Sequence, residues 1–134
     1  MVRYNFFSHV SPVRGKKTLS DRLAKVGIDN AYKGENLATV CVMEYQSGKP
    51  VFTPPQNGGY FSYTHKGKPI VYRTYLTVAK TVVKHLMGSP GHRKNILTKE
   101  FKFLGVGATL FKDRKFHKMP YFKVTQNFAS DRGN

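Results

Sequence analysis

Sulfur chemistry is nearly closed to this chain. Its 134 residues hold one cysteine, Cys41, which excludes an internal disulfide, a cysteine-cluster metal site and a dithiol redox centre. Tryptophan is absent and acidic groups are scarce, with seven Asp and Glu against 23 Lys and Arg. No stretch approaches the roughly 18 apolar residues that suggest a membrane-spanning helix. The segment from Met1 to Val10 also lacks the apolar run and cleavage site of a secretory leader.

What is present suits one folded domain over residues 1–134, within the usual range of roughly 100–200 residues per domain. Hydrophobic residues make up 40 % and aromatics 13 %, a composition that argues against disorder. The net charge of +16 is unevenly spread: residues 1–67 hold nine basic against four acidic side chains, and residues 68–134 hold fourteen against three. Such a surface seeks polyanions, whether anionic membrane, acidic polysaccharide or nucleic acid, without choosing among them.

The elements read as a mixed α+β order. Thr18, with Asp21 three residues on, is an N-cap pattern for a helix over 19–26 that stops at Gly27. The β-branched content predicts a strand over 40–44, with Glu35 just ahead of it. Residues 46–68, rich in Gly and Pro yet carrying Tyr60, Phe61 and Tyr63, read as a packed excursion. Tyr72, Leu76, Ala79, Val82, Val83 and Leu86 recur at helical spacing and predict a helix over 72–86, with Lys84 on the outer side. A brief helical turn over 92–97 follows the Gly88–Gly91 break. Residues 103–111 and 121–128 read as strands, with Gly105 and Gly107 marking a bulge, twist or close backbone approach. The basic stretch 112–120 between them reads as a hairpin-like connection. No internal repeat occurs.

His9, Glu35 and His92 each lie beside an element boundary. Two imidazoles and a carboxylate can coordinate a divalent metal or share acid–base work, but separations of 26 and 57 residues form no local metal motif. Packing, turn hydrogen bonding or a surface position is the commoner role of such residues. His65, His85 and His117 read as packing or surface groups. Ser8, Ser11 and Ser89 adjoin histidines without making a triad, which is defined by spatial geometry. Residues 33–36 match neither phosphate-loop pattern, and Cys41 reads as a small buried side chain.

Five short words occur in order: Ser8-His9-Val10-Ser11-Pro12, Gly34-Glu35-Asn36-Leu37-Ala38, Ser89-Pro90-Gly91-His92-Arg93-Lys94-Asn95-Ile96-Leu97, Gly105-Val106-Gly107 and Thr125-Gln126-Asn127-Phe128. Together they make the chain resemble the CAP superfamily of cysteine-rich secretory, antigen 5 and pathogenesis-related 1 proteins, in its cysteine-poor bacterial form. The resemblance implies an α-β-α sandwich around a small central antiparallel sheet. It also implies a cavity to which His9, Glu35 and His92 contribute, as metal ligands for a divalent ion such as zinc or as catalytic groups, with no organic cofactor. A second cavity acid usual in the family is missing, since residues 71–87 contain no Asp or Glu, and Leu86 stands where the family commonly has tryptophan.

The resemblance further implies a domain truncated at its N-terminus, with residues 1–7 as the end of a second helix. The surface this uncovers would be hidden by residues 46–68 or by a second copy in a weak homodimer. Family membership implies an extracellular or cell-envelope location, although no secretion signal is present, and binding of a ligand or partner such as a lipid. A metal-dependent hydrolase is the alternative within enzymes. A module binding polyanions or anionic lipid is the alternative suggested by charge; nucleic acid is not expected as a specific partner.

Overall fold

The computed structural model describes residues 1, 3–29 and 31–132. Thr18 caps the first helix, α1 (Leu19–Ala24): its hydroxyl accepts from the Asp21 N–H, and the Asp21 carboxylate accepts from the Thr18 N–H at 2.8 Å, which satisfies two otherwise orphaned donors. The hydrogen bond from the Thr18 backbone, followed by that from its side chain, holds the Asp21 carboxyl below its ordinary value. The cap is therefore complete above the usual carboxylate range and is lost as pH falls through the lowered value. The helix is two residues shorter than the 19–26 expectation. Gly27, at φ 81°, takes the left-handed conformation there, and Gly27 and Ile28 donate back to the Ala24 and Leu23 carbonyls.

Strand β1 (Lys33–Cys41) begins well before the expected 40–44 strand, and Glu44 lies outside it. Gly34, Glu35 and Asn36 are weak strand formers on their own. Long-range pairing holds them extended. Strands β2 (Phe103–Asp113) and β3 (Met119–Ala129) contain the expected 103–111 and 121–128 strands and extend them. The order is β1-β3-β2, antiparallel throughout. Both ladders run in unbroken register, so Gly105 and Gly107 mark no bulge. The turn between β2 and β3 is set by Asp113, whose carbonyl accepts from Lys118 N–H at 2.8 Å, and by left-handed His117 and Lys118.

Residues 46–68 are packed, as their aromatic content suggested, and include the single-turn helix α2 (Pro54–Asn57). Asn57 organises them: its amide donates to Ser62 Oγ at 2.6 Å, and its oxygen accepts from Lys66 N–H at 2.7 Å. Phe61 joins Met43, Ile70 and Met119 in a small second core. The excursion does not cover β2, whose Leu104, Val106 and Leu110 remain 55, 63 and 54 % exposed.

Thr74 caps α3 (Tyr75–Gly88), so the helix starts three residues after Tyr72, which instead bridges to Met43. Its buried face is Val78, Val82 and Leu86 rather than the full stripe read from the sequence; Tyr72, Leu76 and Val83 are exposed. Those three buried residues pack on Val40, Val42 and Val124 in the main core. The expected turn over 92–97 is a helix, α4 (Pro90–Leu97), with Pro90 in its first turn.

Successive β1 side chains point to opposite faces. Arg22 of α1 meets Glu35, while α3 and α4 meet Val40 and Asn36. The sheet thus lies between helical layers, the α-β-α arrangement expected. Residues 3–5 form a turn with Asn5 at φ 48°, not the end of a helix; Val2, Asn30, Gly133 and Asn134 lie outside the described residues.

Gly34 has no room for a side chain. A Cβ there would stand 2.7 Å from the Phe101 ring, which stacks between Tyr32 and Phe128 with centroids 5.2 and 5.3 Å away. Gly34→Ala is expected to displace that stack and destabilise the protein by roughly 1–3 kcal/mol, the usual cost of overpacking. Chemical denaturation measures it, and an unchanged midpoint would contradict the packing described.

Candidate functional site

Arg22 projects from the last turn of α1 and ties the segment before that helix to β1. Its guanidinium donates to the carbonyls of His9 at 3.2 Å and Lys17 at 3.4 Å, and to Glu35 Oε2 at 2.6 Å. The other carboxylate oxygen, Oε1, accepts from His9 Nδ1 at 2.8 Å. An ionised carboxylate can only accept, so the ring proton of that bond sits on Nδ1 and Nε2 is the nitrogen the imidazole offers outward. Glu35 is nearly enclosed, with 4 % of its side chain exposed, whereas His9 keeps 60 % and Arg22 22 %. A buried acid thus anchors a mostly open imidazole.

Beside this cluster lies an open cleft of about 580 Å³. Its lining combines the apolar Met1, Tyr4, Phe6 and Val13 with the polar Ser11, Lys16, Arg22 and Glu35. The floor is the sheet itself, at Gly105, Gly107, Thr125 and Asn127. A side chain at Gly107 would meet nothing within 4 Å. The two glycines therefore give the cleft its depth, rather than bending the strand or admitting another backbone. Asn127 Oδ1 is buried there without a hydrogen-bond partner, a polar atom that a ligand could satisfy.

His92 is held by its main chain. Asn36, 1 % exposed, donates to the His92 carbonyl and to Gln126 Oε1, both at 3.1 Å, and accepts from Asn95 Nδ2 at 2.8 Å. The His92 ring makes no hydrogen bond among the described residues. Of the three expected site residues, the structure brings His9 and Glu35 into contact, and shows no group of three His, Cys, Asp or Glu able to hold a metal among the described residues. With both Glu35 oxygens committed and a guanidinium against one of them, this donor set does not fit a resident divalent ion.

The sequence alone gives no individual role to Arg22, Asn36, Asn95, Gln126 or Asn127. Four of these five stand inside the motif words, so the words carried a signal without a role. Arg22 follows the helix cap and had no such flag. The remaining histidines are apart from the cluster: His65 packs on Phe52, His117 packs on Phe116, and His85 lies in the last turn of α3. Burial pushes the Cys41 thiol up and drives Tyr121 to about 12, with Cys41 next among the groups raising Tyr121; neither group is a ready nucleophile at neutral pH.

A three-stranded antiparallel sheet between helices, with a carboxylate on its first strand gripping a histidine from the segment before α1, defines an α+β sandwich domain. The family model described as CAP, cysteine-rich secretory protein family, matches residues 18–128. The chain belongs to that family. No curated protein and no solved structure matches it. No helix among the described residues is long and apolar enough to cross a membrane.

Proposed function

We propose that this CAP domain is a secreted or envelope-associated binding module, and that it takes a long-chain amphiphile in the cleft beside Glu35. The observation that carries the reading is the mixed lining of the cleft, in which aromatic and aliphatic groups share one cavity with Lys16, Arg22 and Glu35. An apolar body lies against Tyr4, Phe6 and Val13, while an anionic headgroup meets the donors Ser11, Lys16 and Arg22. Pockets of this size with few convergent polar groups are the usual form of a small-ligand site.

The glycine floor supplies the test. Gly107→Val puts a strand-favouring side chain into open space in the cleft, so it should block the site without disturbing packing. Calorimetric titration with dodecanoate below its micellar concentration is expected to show saturable binding by the parent and by Lys84→Ala. Gly107→Val should bind about tenfold more weakly or worse, since filling a cavity removes the contacts that hold an apolar ligand, while its unfolding midpoint is retained. Equal affinity in the parent and Gly107→Val would overturn the reading.

Metal-dependent hydrolysis has less support, because a cation at Glu35 must displace Arg22. Zinc titrations of the parent, His9→Ala and His92→Ala are expected to give indistinguishable affinities. A marked loss in both variants would instead establish a shared metal site.

A further inference from the structure

On the same sheet face as Glu35, but toward the β2–β3 turn, lies a second open hollow of about 830 Å³. Residues 3–6 separate it from the first: Tyr4 and Phe6 line the cleft, while Arg3 and Asn5 line the hollow. Around it stand six basic side chains, Arg3, Lys112, Arg114, Lys115, Lys118 and Lys123, against the single acidic Asp113. Both ion pairs among the described residues use Glu35, so none of these six cations is paired with a carboxylate there. Asp113 is spent on the turn, where Oδ1 accepts from Lys115 N–H at 2.9 Å.

Six like charges around one concavity repel each other, and the repulsion is relieved by a ligand that carries several anionic groups. The hollow is built, not an accident of mobile side chains. Lys123 donates to the Phe6 carbonyl at 3.2 Å and lies 4.8 Å from the centre of the Phe111 ring, fixing residues 6–7 against the sheet. The size is at the upper end of ordinary ligand pockets, more than one small anion needs. Four of the cations, Lys112, Arg114, Lys115 and Lys118, follow one another from the end of β2 through the β2–β3 turn, and Lys123 stands on β3. The one large apolar residue of the turn, Phe116, packs inward near Tyr45, with centroids 5.3 Å apart, so the turn offers no exposed apolar group to enter a bilayer.

We propose that this hollow is a binding site for a segment of an acidic polysaccharide, whose repeated sulfate or carboxylate groups pair with the lysines and arginines along the β2–β3 turn. The site is separate from the amphiphile cleft and does not depend on it. Because lysine and arginine contacts to a polyanion release counterions, affinity falls steeply with salt.

The test compares two variants of equal net charge. K112Q/R114Q/K115Q/K118Q removes four cations of the hollow, and K80Q/K84Q/K94Q/K99Q removes four exposed cations from α3, α4 and the loop after α4. Fluorescence anisotropy with a labelled heparin oligosaccharide is expected to show the first variant weakened about tenfold or more and the second less than about threefold, because only the first removes site contacts in addition to general charge. Circular dichroism confirms that both remain folded. Equal weakening of the two variants would overturn the proposal by showing a diffuse charge effect. So would binding to phosphatidylglycerol vesicles that the first variant loses while its heparin affinity is unchanged, which would assign the hollow to a membrane surface.

Discussion

Arg22→Met should lower the free energy of unfolding by roughly 2–4 kcal/mol, a little under the usual cost of breaking a fully buried ion pair because Arg22 keeps 22 % of its side chain exposed. The loss has a definite origin. Without the guanidinium, Glu35 is left almost enclosed with His9 as its remaining partner, the His9 carbonyl loses its donor, and the Lys17 carbonyl keeps the Ser11 N–H alone. Adding Glu35→Gln removes the stranded charge, so the double variant is expected to recover about half of the loss or more, a coupling that double-mutant cycles resolve. Urea denaturation of the parent, both single variants and the double variant measures it. Additive losses would mean that the two side chains act independently and that the pair does not hold the 9–17 segment to the sheet.

Leu86→Ala should cost roughly 2–5 kcal/mol, the range for truncating an enclosed leucine. Leu86 is 1 % exposed and is the last of the three α3 residues that meet the sheet. Lys84, two positions away on the solvent side, should change stability by no more than about 0.5 kcal/mol when truncated to alanine. Similar unfolding midpoints for the two variants would contradict the orientation of α3.

The features legible in the sequence are those decided by near neighbours. Thr18 and Asp21 cap a helix through contacts three residues apart, and that pattern was readable. Strands 103–111 and 121–128 were readable because alternating apolar residues flank one basic connection. The start of β1 was not, since nothing local makes Gly34-Glu35-Asn36 extended; Phe128, Asn127 and Gln126 on β3 do. The phase of α3 failed for a related reason. Apolar residues occur on more than one side of that helix, and only the position of Val40 and Val124 decides that Val78 is buried while Leu76 is not.

The same distinction governs the site. The motif words placed His9 and Glu35, and those two side chains do meet. They could not show what else Glu35 touches, because its pairing with Arg22 spans the loop and helix between them and exists only in the folded chain. Nor could they show that Asn36, Asn95 and Gln126, one from each of three words, form a single amide network around the buried Asn36, joining β1, α4 and β3. Gly105 and Gly107 were flagged for backbone effects, but they act by leaving space.

The most direct test of the binding role is a residue-by-residue map of where an amphiphile sits. Titrating isotopically labelled protein with dodecanoate below its micellar concentration, and following amide shifts by NMR, is expected to give saturable changes at residues 4–16, Arg22, Glu35, 105–107 and 125–127. The 111–118 turn should stay unmoved. Changes spread without saturation over the basic surface, or confined to that turn, would contradict the assignment of the Glu35 cleft as the ligand site.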